Sequence, residues 1–263
     1  DQLTSDQNPK IKDVRRAADR GTLTKDGFAL AEGRHMLMEA LNSQVEIGAV
    51  ILSESTREEL IAADLERLPE SARILRAADA TFTALRSTET SQGVITLVRL
   101  PDWTLEDLLG SVNPLLLIVD GIQDPGNAGA ILRAAEAFSA TGVIFLKGSV
   151  HPYNPKCLRA SAGSIFRLPV VTGLDSEQVL EALEAAEIPV YATDPRATIT
   201  IAEARLDEAS AIVIGAEGAG VSRKLSERST AIRIPTAMVE SLNAAVAAGV
   251  VLYEAARQRE TRK

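Results

Sequence analysis

Three short stretches in the C-terminal half carry polar residues at spacings that suit chemistry. The first, DGIQDPGNAGAILRAAEAF at 120–138, holds Asn127, Gly129 and Arg133. The second, GAEGAGVS at 215–222, sets Glu217 among Gly215, Gly218 and Gly220. The third, IPTAMVESLN at 234–243, ends in Ser241, Leu242 and Asn243. An arginine fork offers donors to a phosphate or to a developing oxyanion, but with a pKa above about 12 it stays charged and makes a poor base. A carboxylate, an amide and a hydroxyl can hold such a fork, or a substrate, by hydrogen bonds. Glycines let the main chain approach a ligand or turn sharply. Each stretch alone also fits a bland reading: an exposed arginine, a tight turn, a well-packed last helix. Those readings stay open segment by segment.

These residues need elements that hold them together, and the hydrophobic pattern supplies them. From Pro114 onward short apolar runs alternate with helical stretches. Strands are expected at 115–119, 142–146, within 165–171, and at 189–192, 211–215 and 231–234, and helices at 127–138, 156–162, 176–186 and 223–228. A last helix follows the Ser-Leu-Asn triplet. Strands spaced by helices imply an α/β fold with a mostly parallel sheet and helices on both faces. In such sheets ligands bind beyond the C-terminal strand ends, where all three stretches fall. Asn127 suits the N-cap of its helix, and Ser241 that of the last one. Ile131, Ala134, Ala135 and Phe138 share one helical face, which sets Gly129 and Arg133, one turn apart, on the other.

The N-terminal part reads differently. Residues 1–9 are polar and read as a flexible tail. Residues 10–99 read as a small α/β unit, with helices at 10–20, 33–41, 57–68 and 78–85 and strands at 28–32, 45–52, 73–75 and 93–98. Residues 100–113 lack a sustained period and read as a linker in which Trp103 packs locally. Residues 114–263 form the second domain.

Composition narrows the function. The 263 residues are 46% hydrophobic, so a full core can be buried, and no apolar run reaches the length of about 18 that a membrane span needs. The polar start has no signal-peptide pattern. With one cysteine, Cys157, no internal disulfide forms, which fits a cytoplasmic setting. Only His35 and His151 are available, so a zinc cluster or a histidine-based triad is disfavoured and no metal is expected. Net charge is −8, yet residues 10–25 carry six basic residues against two acidic ones. Arg15 and Arg16 in that arm are candidates for a phosphate backbone, beside the plain reading of a solvated amphipathic helix. A nucleotide-dependent oxidoreductase is a rival, but the G-x-G-x-x-G fingerprint is missing where it would be needed, after the first strand.

Taken together the three stretches resemble the motifs of the SpoU, or TrmH-like, branch of the SPOUT RNA methyltransferases. N-x-G-x-x-x-R is met by Asn127, Gly129 and Arg133; G-x-E-G-x-G by Gly215, Glu217, Gly218 and Gly220; and the I-P…S-L-N motif by Ile234, Pro235, Ser241, Leu242 and Asn243. FALAEGRHMLMEAL and TETSQGVITLV are similar to the small RNA-substrate-binding domain that precedes many of these enzymes. Thr236 stands where methionine is usual, Ala244-Ala245 where Val-Ser is, and Ser91 where proline is common. The resemblance implies a C-terminal deep trefoil knot, a homodimer and S-adenosylmethionine as cofactor. It further implies methyl transfer to a ribose 2′-oxygen, in ribosomal RNA by analogy, with transfer RNA as an alternative. Gly215, Ile234, Leu242 and Thr193 would contact the cofactor. Arg133 would act as base or electrostatic stabiliser, oriented by Asn127, with Glu217, Ser241 and Asn243 fixing the geometry. Lys156 and Arg159 would touch RNA, and Cys157 would be structural. A non-catalytic RNA-binding or ribosome-assembly factor on the same fold is the other reading.

Overall fold

The run LLLIV at 115–119 is wholly buried, and it forms an interior strand of a seven-stranded sheet. Full burial of one such side chain stabilises a fold by roughly 1.5–3 kcal/mol. The computed structural model describes residues 2–3, 9–43, 45–88 and 92–261. The chain divides into two compact units, residues 1–101 with 153–167, and residues 102–152 with 168–263.

In the first unit the elements are β1 (Gln2–Leu3), α1 (Pro9–Arg20), β2 (Ala29–Glu32), α2 (Arg34–Ser43), β3 (Glu46–Ser53), α3 (Ala62–Leu65), β4 (Arg73–Ala77), α4 (Asp79–Leu85) and β5 (Val94–Arg99), with α7 (Pro155–Ala160) contributed from later in the chain. The sheet order is β1-β4-β3-β5-β2. Ile11, Val14 and Ala17 of α1 pack with Phe82 and Leu85 of α4 on Ile51, Leu75 and Ile95. Within the stretch expected as a tail, Gln2–Leu3 pairs in parallel with β4; the expectation for residues 1 and 4–8, and the Ser91 departure, lie outside the described residues. The helix expected at 57–68 is reduced to a 3-10 turn, Glu58–Leu60, and a single α-turn. No side chain caps either piece, and one turn propagates weakly without such support. The segment 165–171, expected to include a strand, opens as a 3-10 turn, Ser164–Phe166, and its strand begins at Val170.

In the second unit the elements are α5 (Leu105–Leu109), β6 (Leu115–Asp120), α6 (Pro125–Ala137), β7 (Gly142–Leu146), β8 (Val170–Leu174), α8 (Ser176–Ala185), β9 (Val190–Thr193), β10 (Ile199–Thr200), β11 (Ser210–Gly215), α9 (Arg223–Ser226), β12 (Thr230–Arg233) and α10 (Ala244–Thr261). The order is β10-β12-β9-β11-β6-β7-β8, and every pair in it is parallel. Leu116, Ile118 and Val213 bury one face under Leu108, Val179, Leu183 and Leu225. Helices α6 and α10 cover the other and pack on each other, Phe138 meeting Tyr253 edge to face at 5.7 Å. The expected linker is in part a folded element of this unit. Thr104 and Asp107 form a capping box that starts α5, and Leu108 is buried against Gly142. Trp103 stays 38% exposed.

Candidate active site

The loops that follow β6, β11 and β12 meet at the C-terminal edge of this sheet. The β6 loop ends at Asp124, whose carboxylate accepts the Asn127 N–H at 2.7 Å, with Pro125 at the first helical position. An Asp-Pro pair suits a helix start, because the acid takes an orphan amide proton and proline has none to leave unsatisfied. Asp124 is therefore the cap, not Asn127 as the sequence reading expected. The Asn127 side chain is released to reach across the site.

It reaches Glu217. Asn127 Nδ2 donates to Glu217 Oε1 at 2.8 Å, 90 residues away in the chain. Asn243 Nδ2 donates to Asn127 Oδ1 at 3.0 Å and to Glu217 Oε1 at 2.5 Å. The three motif loops are thus tied by one carboxylate and two amides. Asn243 also caps α10, its Oδ1 accepting from Ala245 N and Val246 N. This corrects the expectation that Ser241 caps the last helix: Ser241 lies outside it, is exposed, and makes no hydrogen bond among the described residues.

The Glu217 loop is shaped by its glycines. A Cβ at Gly215 would fall on the main chain of Gly220 and Val221, and Gly220 adopts φ +68° while its N–H donates to Ala216 O at 2.7 Å. The loop therefore folds back flat onto the end of β11, which only glycine at 215 permits. At the exit of this loop the Ser222 N–H donates to Asp120 Oδ2 at 2.6 Å.

Beside the tie lies a cleft of about 640 Å³, counting its open mouth. The four residues expected to meet a cofactor, Thr193, Gly215, Ile234 and Leu242, all line it, as do Glu217 and Ser241. Thr193 Oγ1 donates to Val213 O at 3.0 Å, so its hydroxyl is directed to the sheet. Sequence reasoning missed Asp194 and Glu240 in the lining and Asp120 and Asp124 beneath the loops. An Asp-Pro step was a readable signal for both Asp124 and Asp194; Asp120 had none. The Asp194 carboxyl is held below the usual carboxylate range chiefly by the Arg196 main-chain N–H, with the Arg196 side chain adding to it.

Arg133 does not line this cleft. It is exposed on α6 and has no hydrogen-bond partner among the described residues, so Asn127 does not orient it here. Gly129, expected to open space on the same exposed face, is buried. Packing of α6 against both the sheet and α10 buries more of its circumference than a single apolar stripe suggests.

The expected RNA contacts fall in the first unit. Arg16 is bound at both ends, by Asp13 at 2.8 Å and by Leu23 O at 3.0 Å, and so stabilises the turn after α1 instead of standing free. Arg15 has no partner among the described residues. Lys156 and Arg159 are exposed on α7, and Arg159 lines a cavity with Glu32, His35 and Gln92. Cys157 is buried and its thiol is pushed up to about 12 by desolvation, which makes it inert as a nucleophile. Among the described residues no cluster suits a metal ion.

A parallel α/β domain whose strand-end loops carry a knit of Asn, Glu and Asn beside a main-chain-lined cleft has the architecture of a ligand-binding site. The sequence pattern of the SpoU rRNA Methylase family matches residues 114–253, and that of the MRM3-like substrate binding domain matches residues 8–96. The chain belongs to the SpoU rRNA methylase family. It is 32% identical over 254 residues to the 23S rRNA (guanosine(2553)-2′-O)-methyltransferase RlmP of Bacillus subtilis (strain 168), covering 96% of this chain and 98% of that one. It is 38% identical over 197 residues to a 23S rRNA (guanosine-2′-O-)-methyltransferase RlmB of Burkholderia sp, 72% of this chain and 79% of that one. The solved structure of the SpoU methyltransferase AviRb from Streptomyces viridochromogenes, in complex with AdoMet, superposes with TM-score 0.88 at 26% identity, over 97% and 99% of the two chains.

Proposed function

We propose that this protein transfers a methyl group from S-adenosylmethionine to a ribose 2′-oxygen of ribosomal RNA, in the cytoplasm. The observation that carries the reading is the tie among Asn127, Glu217 and Asn243 at the rim of the cleft, in a chain of this family. The cleft fits the cofactor by its donor set. Its floor at Gly215 is main chain with no side chain in the way, and Asp194 and Glu240 present carboxylates that suit a ligand bearing a sulfonium and an amino group. Thr193, Gly215, Ile234 and Leu242 would hold it. When bound, the cofactor supplies an electrophilic methyl group on sulfur. Asn127, Glu217 and Asn243 position the loops that wall the cleft. With one amide N–H committed to Glu217 and its oxygen to Asn243, Asn127 is a positioning residue. Arg133 keeps all its donors and is proposed to bind the substrate phosphate and to offset charge developing on the ribose oxygen. Such a guanidinium stays protonated and stabilises instead of abstracting a proton.

Because Arg133 does not line its own cleft, we propose that it acts at the cleft of a second copy. Met238 and Val239 in the third loop and Val246 and Tyr253 on α10 are all more than half exposed, and the last two lie seven residues apart on one helical face. Such a surface fits a homodimer interface. The threading of α10 as a trefoil knot is proposed on the resemblance. Lys156, Arg159 and Arg15 are proposed to contact RNA. The test is transfer of tritiated methyl to ribosomal RNA by the purified protein, with the product nucleotide mapped for a 2′-O-methyl group. No label in RNA, or label on a base, overturns the reading. Sedimentation of Val246→Asp is expected to show a monomer where the wild type is a dimer.

A further inference from the structure

Asp120 is the last residue of β6 and sits in register with Gly215 on the neighbouring strand. Neither end of the 215–222 loop is free. At its entry Ala216 and Gly220 form a bridge that lies on Gly215; at its exit Ser222 N–H reaches across to Asp120 Oδ2. Between these two fastenings the loop presents Gly215, Ala216, Glu217 and Gly220 to the cleft. A short helix, α9, begins immediately after Ser222, and no side chain caps it. At the exit of the loop a carboxylate on another strand therefore accepts a charge-assisted bond from Ser222 N–H, beside Val221, which packs on the core.

We infer that Asp120 is a positioning residue for the methyl-donor site: its carboxylate acts as a hydrogen-bond acceptor that fastens the 215–222 loop and so sets the wall of the cleft. It touches neither reacting atom and is not part of the cleft lining. The inference rests on the methyltransferase reading for the ligand but not for the loop. What matters is an acceptor at this point, so Asp120→Asn, whose amide oxygen can still accept, retains the fastening, and Asp120→Ala loses it. Ser222 has φ −60°, the angle that proline imposes, so Ser222→Pro deletes the same N–H from the other side.

Two measurements test it. In the protein without cofactor, amide hydrogen exchange over 216–222 is expected to quicken about tenfold or more in Asp120→Ala and in Ser222→Pro, the order expected when a charge-assisted bond is lost. By calorimetry, S-adenosylmethionine binding is expected to weaken by about tenfold in both single variants, to weaken little further in the double variant, and to return to within about threefold of wild type in Asp120→Asn. RNA KM is expected to stay put. Unchanged exchange, additive losses in the double variant, or an Asp120→Asn as weak as Asp120→Ala each overturn the inference. If the wild type binds no S-adenosylmethionine at all, the functional reading fails, while the exchange rates still decide whether Asp120 fastens the loop.

Discussion

Helix α10 is held at its two ends by different means. At its start, Asn243 joins the half-buried Asn127 and the exposed Glu217 through side-chain contacts. At its finish, Arg259 is half-buried and donates to Leu206 O, Asn113 O, Pro114 O and Glu208 O, with the Ser210 hydroxyl alongside. Gln258 adds Leu206 N and Ile201 O, and Glu254 braces both Arg257 and Gln258. Desolvation lowers the Arg259 pKa, yet a guanidinium surrounded by main-chain acceptors stays charged. The two ends divide the work. The far end anchors the helix through main-chain carbonyls at the opposite ends of the strands from the cleft. The near end is built from groups that water and a ligand can reach. Stability and chemistry are thereby placed on opposite edges of one sheet, and substitutions at the two edges should separate them.

The sharpest separation is expected at Arg133. Arg133→Ala should lower the rate of methyl transfer by about 10²–10³-fold, the scale for losing one well-placed electrostatic donor. Cofactor affinity and melting temperature should not move, because no described residue depends on this side chain. A variant near wild type in tritium transfer would remove Arg133 from the chemistry. Arg259→Ala should do the reverse. It takes the Arg259 donor from the partly buried Leu206 and Glu208 carbonyls, at about 2–3 kcal/mol of stability in denaturant unfolding, while activity well below the melting point persists. An equal loss of cofactor affinity would show that the two ends are not independent.

Asn243→Ala should fall between them. It removes a helix cap worth about 1–2 kcal/mol together with the tie to Glu217, so both cofactor affinity and melting temperature should drop. Loss of only one of the two would break the view that this side chain serves both ends of the comparison. The smallest effect is expected at Glu254. Its carboxyl is held below the usual range first by the Arg257 side chain, against a desolvation cost, with Gln258 and the Arg257 charge adding to the lowering. A folded-state pKa below the unfolded one stabilises the fold above the unfolded value of 4.5, and that stabilisation fades as pH falls through the lower folded value. The stability gap between wild type and Glu254→Gln should thus be full at neutral pH and close in acid. A gap that widens toward acid would reverse the sign.

The substrate-side candidates were less legible than the chemical ones. Arg16 reads in sequence as one more charge of a basic arm, but the turn after α1 folds its guanidinium onto Asp13 and Leu23 O. Lys156 and Arg159 sit in the middle of the second domain's sequence, yet their segment packs within the first unit, with α7 against β2. Charge can be counted along a chain, but which element a charged segment packs on depends on contacts made far away in sequence.

The amino-acid order by itself determined the strand–helix alternation, the parallel sheet, and the places where polar residues interrupt apolar runs, because periodicity and glycine or proline breaks act over a few residues. It also carried the motif residues whose loops now meet. The tertiary structure decided which side chains cap α6 and α10, that Asn127 holds Glu217 and not Arg133, that Ser241 makes no hydrogen bond among the described residues, and that Asp120 fastens a loop 102 residues away. Those outcomes turn on which donor reaches which acceptor at about 3 Å, a distance set by the packing of the whole sheet and beyond the reach of any local pattern.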